Sequence, residues 1–381
     1  MKKILSVIVV VVVTLTQTAQ ITAIAQATDK PAVNAQACVL YCVDDGKVYF
    51  SVNENKKMKP ASTTKLMTSL ITLEYADSAD KVVAFTKDMT AEGSSMYLKV
   101  GEKVKLSDLA AGMMMASGND AANAAAISIA GSAEKFSELM NNRAAVIGMK
   151  NTHFVTPSGL DDENHYSTAY DMALLMSYAL ENESFAKLTS QKSVTVEFSE
   201  PQSKRTTYTN HNRLLSMYEY CTGGKTGYTM AAGRCLVSSA KKDGLTFVCV
   251  TLNDRNDWND HIALYNYGFS KLACVECDDS DYYLEIPCAG GDDESIGVTG
   301  TKGKNVVVPF DKKSNVVRTA YADNFLYAPV KDGDIVGRIE YTLDGKTLAS
   351  TNLTAVEYSN TQNKNKSIWT KIKDFFTYGK E

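Results

Sequence analysis

Strand-like sequence stands at both ends of one long segment of this chain, and helix-like sequence fills the stretch between them. At the first end, residues 37–50 (ACVLYCVDDGKVYF) predict two strands joined at an Asp-Gly dipeptide, which suits a tight hairpin turn. At the other end, residues 233–253 predict a second hairpin around another Asp-Gly, and residues 258–272 predict a closing helix. This order predicts an α/β domain whose sheet is assembled from both ends of the segment.

The middle of the segment is predicted to be helical. After Pro60, apolar residues recur at three- and four-residue spacings, which predicts a helix with Ser62 in its first turn. Residues 106–130 and 134–148 are rich in alanine, methionine and leucine, as buried helices often are, and residues 168–180 predict a further helix.

The composition changes after about Cys277. Residues 282–358 hold short β-rich runs separated by glycine, aspartate and lysine, without a convincing helix. We expect a separate small β domain here, and because no catalytic cluster is visible in it, we assign it a spacer or docking role.

The first residues have the order of a secretory signal peptide: Lys2 and Lys3, an apolar run over residues 4–13, and then small residues. The apolar run is shorter than the roughly 20 residues that a transmembrane helix needs. Cleavage after Ala25 or Ala27 is expected, and residues 1–27 are excluded from the fold. An uncleaved anchor is the alternative, and in both cases most of the protein lies outside the cytoplasm.

The last residues, 360–381, predict a linker and an amphipathic helix. Aromatic and aliphatic residues share one helical face, and lysines surround it. Such a segment suits a membrane interface, so we expect it to anchor the protein to the outer face of the cytoplasmic membrane. A terminal helix packed on the core would show the same stripe.

Charge and cysteine content exclude several classes of function. The net charge of the whole chain is −4, and loss of Lys2 and Lys3 with the signal peptide makes it about −6, so no basic field for nucleic acid is present. The eight cysteines are interpreted mostly as core residues. Cys38 and Cys42 lie on one predicted strand about 13 Å apart, beyond the reach of a disulfide. The histidines have no metal-ligand spacing, so we expect no metal.

Ser62 and Lys65 stand three residues apart, and residues at this spacing share one face of a helix. A neutral lysine can take the proton of a serine hydroxyl, and burial or a second cation lowers a lysine pKa enough to make this possible. The pattern alone is weak, because five other serine–lysine pairs in the chain have the same spacing.

Two further motifs select Ser62. Ser117-Gly118-Asn119 and Lys225-Thr226-Gly227 follow it in the order Ser-x-x-Lys, Ser-x-Asn, Lys-Thr-Gly. These are the three signature elements of penicillin-binding proteins and class A β-lactamases. Over roughly residues 35–272 the chain resembles the low-molecular-mass penicillin-binding proteins that act as serine-type D-Ala-D-Ala carboxypeptidases. The likeness includes KMKPASTTKLMT, FVTPSGLDDENHYSTAYDMALL and GGKTGYTMAAGRCLVSSAKKDG.

The resemblance implies a penicillin-binding, β-lactamase-like transpeptidase fold of the α/β (α+β) class. It places the catalytic domain at residues 28–277 and the small all-β domain at residues 278–359, followed by the C-terminal amphipathic helix. The implied substrate is the peptidoglycan stem pentapeptide, from which the terminal D-alanine is removed, and β-lactam antibiotics are implied as covalent inhibitors. The implied mechanism needs no cofactor.

The resemblance also implies roles for the catalytic residues. Ser62 is expected to attack the carbonyl of the penultimate D-alanine, with Lys65 as general base. Ser117 is expected to relay a proton between Lys65 and the leaving amine, and Asn119 to hold the peptide amide and orient Lys65.

The remaining implied roles concern binding. Lys225 and the Thr226 hydroxyl are expected to bind the terminal carboxylate, and Gly227 to let the substrate lie close to the strand. The oxyanion is expected between the backbone N–H groups of Ser62 and Tyr228. Arg213 is a further substrate-binding candidate that would add positive potential beside Lys225, or it is a solvated arginine. His165, which follows a glycine-rich turn, is expected to be structural.

Three alternatives remain open on the residues. A D,D-endopeptidase that cuts peptidoglycan crosslinks would use the same catalytic set on a neighbouring bond. A class A β-lactamase would need a deacylating glutamate, and residues 156–168 lack the expected arrangement. A non-catalytic wall-binding or penicillin-sensing protein would be expected to have lost Ser62 or Lys65.

Overall fold

The computed structural model describes residues 30–290 and 294–356 of the 381-residue chain. The predicted signal peptide (1–27) and the predicted C-terminal helix (360–381) lie outside these residues. Within the described ranges, no helix combines the length and the hydropathy needed to cross a membrane.

The first part of the described chain contains both strands and helices. The strands are β1 (Ala37–Cys42), β2 (Lys47–Val52), β3 (Val82–Ala84), β4 (Lys103–Lys105), β5 (Ser193–Glu197), β6 (Arg205–Thr209), β7 (Cys221–Thr229), β8 (Gly233–Lys242), β9 (Leu245–Leu252) and β10 (Leu272–Val275). The helices are α1 (Lys65–Ser78), α2 (Leu106–Met115), α3 (Asn119–Ala130), α4 (Ala133–Ile147), α5 (Ala169–Ala179), α6 (Glu183–Thr189), α7 (Leu214–Met217) and α8 (Asp257–Lys271). Short 3₁₀ turns cover Ala61–Thr64 and Lys87–Met89.

The central sheet joins the two ends of this segment, as the sequence predicts. Its strand order is β2-β1-β9-β8-β7, with antiparallel neighbours, and Leu40 of β1 lies opposite Cys249 of β9. Strand β7 is at the edge of this sheet, and its outer side faces the helices. The predicted hairpins and the helices at residues 168–180 and 258–272 are also confirmed.

Both faces of the central sheet are buried under other elements. Successive side chains of each strand point to opposite faces and so enter two different cores. Val39, Val237 and Val250 belong to the large core formed with the helices of the middle segment. Leu40 and Phe247 belong to the core formed with α8 on the other face. The sheet therefore gives β7 a rigid support, with helices on one side and α8 on the other.

The long helical segment predicted over residues 106–130 is interrupted where it meets the site. Helix α2 ends at Met115 and α3 begins at Asn119. Ser117 has a φ of 57°, in the left-handed region. A Cβ at Gly118 would lie 2.9 Å from the backbone nitrogen of Met96, so glycine permits this close approach. Ser117 is therefore held in the turn between the two helices.

The start of α1 differs from the sequence expectation. Ser62 lies in the 3₁₀ turn of Ala61–Thr64, and Lys65 is the first residue of the α-helix. Ala61 has a φ of 49°, which bends the chain sharply after Pro60. The predicted apolar face of the helix is buried as expected, with Leu66 and Leu70 fully inaccessible. Ser62 is thus presented on a tight turn just before the helix.

The second part of the described chain is all-β, as predicted. Its strands are β11 (Tyr283–Ala289), β12 (Ser295–Gly300), β13 (Val306–Pro309), β14 (Val317–Ala322), β15 (Leu326–Tyr327), β16 (Ile335–Leu343) and β17 (Lys346–Val356), with a 3₁₀ turn at Phe310–Asn315. Ile286, Val298, Ile339 and Leu353 form its own apolar core. β13 pairs with β10, which links this part to the catalytic segment.

The cysteines follow the sequence interpretation. All eight are free thiols, and Cys38 and Cys42 lie on one strand, β1. Six are buried, whereas Cys221 and Cys288 are partly accessible. Burial raises the pKa of the Cys38 thiol to about 12, so this group stays protonated and behaves as a small apolar residue.

Candidate active site

A cavity of about 520 Å³ lies between the turn that carries Ser62 and the outer edge of β7. Four of the predicted site residues line it. The lining residues are Ser62, Ser94, His211, Thr226, Gly227, Tyr228, Arg234, Cys235, Asp257 and Trp258. The other predicted residues of the three motifs are buried and hydrogen-bonded behind this wall.

Lys65 is fully buried and touches Ser62 directly. Its Nζ lies 3.1 Å from Ser62 Oγ, 2.7 Å from Asn119 Oδ1 and 2.6 Å from the Ser158 carbonyl oxygen. The two carbonyl-type oxygens can only accept hydrogen bonds, whereas the Ser62 hydroxyl can also donate. A neutral amine would use its two N–H groups on Asn119 and Ser158 and direct its lone pair to Ser62. This arrangement suits removal of the Ser62 proton.

The surroundings of Lys65 favour the neutral amine. Burial lowers the pKa of Lys65 well below its ordinary value, and the charge of Lys225 lowers it further, while Asp120 opposes both effects. A buried ammonium without a bonded carboxylate is unfavourable in a low-dielectric interior. These surroundings therefore favour the protonation state that a general base requires.

Lys225 connects the second and third motifs. Its Nζ donates to Ser117 Oγ at 3.0 Å and to the Thr226 carbonyl oxygen at 2.9 Å. Burial lowers the pKa of Lys225 to about 7. A carboxylate brought to this nitrogen would favour its charged form, so Lys225 is suited to bind an anion.

Asn119 is fixed from both ends of its side-chain amide. Its Oδ1 accepts from Lys65, and its Nδ2 donates to the Glu92 carbonyl oxygen at 2.6 Å. These contacts hold the Asn119 amide in one orientation beside Lys65. The Nδ2 group is engaged with the backbone of Glu92, and Asn119 does not line the cavity.

Gly227 allows β7 to approach the nucleophile turn. A Cβ at this position would lie 3.0 Å from the Pro60 carbonyl oxygen and from the backbone nitrogens of Ser62 and Thr63. Such contacts are tighter than ordinary van der Waals packing, so a side chain here would push the turn and the strand apart. The small residue keeps the Ser62 amide beside the edge of β7.

Arg213 lies away from this cavity, in contrast to the position that the sequence analysis expected for it. It is exposed, precedes α7 and lines a separate cavity of about 270 Å³ with Lys192, Asn210 and Met217. His211, two residues earlier, lines the main cavity instead. Burial lowers the pKa of His211, and the charge of Lys225 lowers it further. Arg213 was predicted to bind substrate because of its charge. No sequence pattern indicates on which side of the loop Arg213 and His211 lie.

His165 has a structural role, as expected. Its Nδ1 accepts from the backbone nitrogens of Val155 and Thr156, so the proton of the neutral ring is on Nε2 and is donated to Thr64 Oγ1 at 2.9 Å. Burial lowers the pKa of His165 to about 4, which keeps the ring neutral. The histidine thus ties the segment that contains Ser158 to the turn before α1.

The chain is similar to known proteins that carry the same family description. The family model described as D-alanyl-D-alanine carboxypeptidase matches residues 24–256, and the model for the C-terminal domain of penicillin-binding protein 5 matches residues 278–359. D-alanyl-D-alanine carboxypeptidase DacF of Bacillus subtilis is 32% identical over 341 residues, which cover 87% of this chain and 87% of that protein. D-alanyl-D-alanine carboxypeptidase DacC of Escherichia coli is 33% identical over 356 residues, which cover 87% of this chain and 86% of that protein. The crystal structure of penicillin binding protein 5 from Haemophilus influenzae matches with a TM-score of 0.65 at 29% identity, covering 86% of this chain and 98% of that chain.

Proposed function

The chain belongs to the D-alanyl-D-alanine carboxypeptidase family of low-molecular-mass penicillin-binding proteins, and on that premise we propose that Ser62 is the nucleophile that removes the terminal D-alanine from peptidoglycan stem pentapeptides. One observation carries the assignment. Ser62 Oγ lies 3.1 Å from the Nζ of a fully buried lysine whose other hydrogen-bond partners are carbonyl-type oxygens. The serine is therefore adjacent to an oriented base whose burial favours the neutral form.

Acylation begins with proton transfer from Ser62 to Lys65. Ser62 Oγ then attacks the carbonyl carbon of the penultimate D-alanine, and the negative charge develops on the carbonyl oxygen. We assign this oxygen to the backbone N–H groups of Ser62 and Tyr228, which the close approach at Gly227 keeps on neighbouring segments. Such donors stabilise the tetrahedral intermediate more than the substrate.

The leaving D-alanine needs a proton on its amine and a partner for its carboxylate. Ser117, held by Lys225 through a 3.0 Å hydrogen bond, is assigned the relay to the leaving amine of the proton that Lys65 took from Ser62, which returns Lys65 to its neutral form. Lys225 and the Thr226 hydroxyl are assigned the carboxylate, because Thr226 lines the cavity and Lys225 is a buried lysine without a bonded acid, whose charged form a carboxylate would favour. Water then hydrolyses the Ser62 ester with Lys65 again as the base.

We further propose that the protein is exported and retained at the outer face of the cytoplasmic membrane by residues 360–381. The sequence order of residues 1–27 and the amphipathic pattern of the tail support this proposal. We also divide the mature chain into a catalytic domain at residues 28–277 and a small β domain at residues 278–359. The match of the second family model and the separate apolar core support that division.

The function is tested by incubating the purified protein with benzylpenicillin, mapping any adduct by mass spectrometry, and measuring D-alanine release from a pentapeptide. We expect a slowly cleared adduct on Ser62 and release of D-alanine. Ser62→Ala should abolish both. Labelling that persists in Ser62→Ala would overturn the nucleophile assignment, and rapid penicillin turnover without D-alanine release would overturn the carboxypeptidase.

The anchor is tested separately by truncation after Asn360. The truncated protein should leave the membrane fraction and keep its D-alanine release. Unchanged membrane partition would overturn the role of the tail.

A further inference from the structure

One end of the active-site cavity has no role in the chemistry proposed above. Arg234, at the start of β8, and Asp257 and Trp258, at the start of α8, line the cavity together with the nucleophile. Arg234 lies opposite Tyr228 in the β7–β8 register, so the two side chains are neighbours on one face of the sheet. The cavity therefore extends from Ser62, past Tyr228, to an arginine.

Arg234 is held in one orientation by a bidentate ion pair. Its Nη2 donates to both carboxylate oxygens of Asp257, at 2.7 and 2.8 Å, and its Nε lies 3.1 Å from Oδ2. Asp257 is almost completely buried, and the backbone nitrogen of Trp258 also donates to it at 2.9 Å. The guanidinium lies 5.7 Å from the Trp258 ring centre. These contacts fix the arginine before any ligand binds.

One nitrogen of the Arg234 guanidinium, Nη1, is available to bind a ligand. Nη1 has no hydrogen-bond acceptor among residues 30–290 and 294–356, and 44% of the arginine side chain is exposed. Nη1 carries two N–H groups that can bind a carboxylate. The arginine is thus an anion-binding group built into the cavity wall.

The direction of β7 shows which part of the substrate reaches Arg234. This step rests on the proposed function, in which the terminal carboxylate lies at Lys225 and Thr226 and the scissile carbonyl near Tyr228. The peptide must then continue beyond Tyr228, towards Thr229 and the start of β8. At about 3.4 Å per extended residue, the residue that precedes the two D-alanines lies beside the Tyr228–Arg234 pair.

The charges at this end favour an acidic side chain over a basic one. Asp257 is already paired with Arg234. Asp161, a carboxylate near the end of β7, accepts from Thr229 Oγ1 at 3.0 Å and lies 4.0 Å from Lys59. An incoming ammonium would find both carboxylates engaged and would meet the positive charge of Arg234.

We propose that Arg234 is a specificity-determining residue that binds a carboxylate on the side chain of the third stem-peptide residue, the one before D-Ala-D-Ala. The enzyme then selects peptides whose third residue carries a free side-chain carboxylate over those that carry an amide or only an amine there. Trp258 provides an apolar surface for the methylene chain of that residue.

Three pentapeptides that end in D-Ala-D-Ala test the proposal. Their third residue is meso-diaminopimelate, diaminopimelate amidated at the side-chain carboxyl, or lysine, and D-alanine release is measured for each with the full-length protein. We expect kcat/KM for the free carboxylate to exceed the other two by about three- to tenfold, chiefly through KM, because water screens a half-exposed arginine.

Two variants and one control locate the effect. Arg234→Gln should bring the three kcat/KM values together. The double variant Arg234→Gln/Asp257→Asn does the same without leaving a buried carboxylate unpaired, which guards against loss of folding. Arg205→Gln, in an exposed ion pair with Glu197, should keep the wild-type preference.

The outcomes separate this inference from the function on which it rests. Equal wild-type rates on the three peptides, or a preference that survives in both Arg234 variants, would overturn the carboxylate site while leaving the carboxypeptidase intact. Release of D-alanine from none of the peptides would overturn the carboxypeptidase, and the site with it.

Discussion

Two regions of this molecule bury charged groups, and they do so in opposite ways. In the catalytic cleft, Lys65 and Lys225 are buried with hydroxyl and carbonyl oxygens as their hydrogen-bond partners. In the β domain, the Asp279 side chain is fully buried but accepts from Arg318 Nε at 2.6 Å, from Tyr341 Oη at 2.8 Å and from Thr351 Oγ1.

The difference lies in what each buried charge does. Asp279 has a counter-ion and hydrogen bonds, so its burial organises the small β core. The lysines have no bonded acid, so burial shifts their pKa towards the neutral form and makes them chemically useful. The cleft is therefore expected to determine activity, and the Asp279 cluster stability.

The largest expected effect is at Lys65. Lys65→Met should lower kcat/KM for D-alanine release by about 10³-fold or more, because the base for Ser62 is lost. The matched control is Lys135→Met, an exposed lysine on α4 that should retain full activity. Near-native activity in a folded Lys65→Met protein would show that another group takes the Ser62 proton.

The next effect is the pH dependence of stability caused by Lys225. Its pKa is about 7 in the folded protein and near 10.5 when unfolded, so between these values the unfolded chain binds more protons and stability rises with pH. The free energy of unfolding of the wild type, relative to Lys225→Met, should increase by up to about 2 kcal/mol from pH 7 to pH 9.

Denaturant titrations of both proteins at the two pH values measure this difference, and subtraction of the variant removes the contribution of the cysteines and tyrosines. A difference that is constant with pH would show that Lys225 titrates normally in the folded protein.

The Asp279 cluster should give the opposite phenotype. Asp279→Asn should lower the free energy of unfolding by about 1–2 kcal/mol, because charge-assisted hydrogen bonds are lost while the partly exposed Arg318 regains water. D-alanine release should be unchanged. Asp344→Asn, in an exposed pair with Lys312, serves as the control with little effect. Loss of catalysis in folded Asp279→Asn would show that the two regions are coupled.

The smallest expected effects come from substituting one glycine in each region. Gly227→Ala should lower kcat/KM by about tenfold, because a Cβ 3.0 Å from the Ser62 nitrogen displaces the nucleophile turn by a few tenths of an ångström. Gly300→Ala would overlap the Asp279 backbone, so it should lower the unfolding temperature and spare activity. Thermal melts and D-alanine release on both variants test the contrast, which fails if both lose activity equally.

Most of the fold could be predicted from sequence because it depends on local patterns. Strand-like apolar runs and Asp-Gly turns located the hairpins at residues 37–50 and 233–253, and helix-like sequence located α5 and α8. The break between α2 and α3 was not predicted, although the poor helix formers Ser117, Gly118 and Asn119 stand there between alanine- and methionine-rich runs. There the backbone of Met96, distant in sequence, packs closely against Gly118.

The sequence by itself determined the order of the three motifs, the membership of the family and the pairing of Ser62 with Lys65. The Ser-x-x-Lys spacing alone did not separate Lys65 from other lysines, such as Lys187, which follows a Ser184 bonded to Asp77 on the surface, and the other two motifs were needed to select it. Arg213 was predicted to bind substrate, but His211 lines the active-site cavity instead. No sequence pattern indicated that Arg234 lines this cavity.

The physical reason is that a lysine becomes a base through burial and through the absence of a bonded acid. Both properties are set by residues far away in the chain. Lys65 contacts Ser158 across 93 residues of the chain, and Lys225 contacts Ser117 across 108. The motifs supply the reactive groups, and the tertiary structure decides their charge and which of them face the substrate.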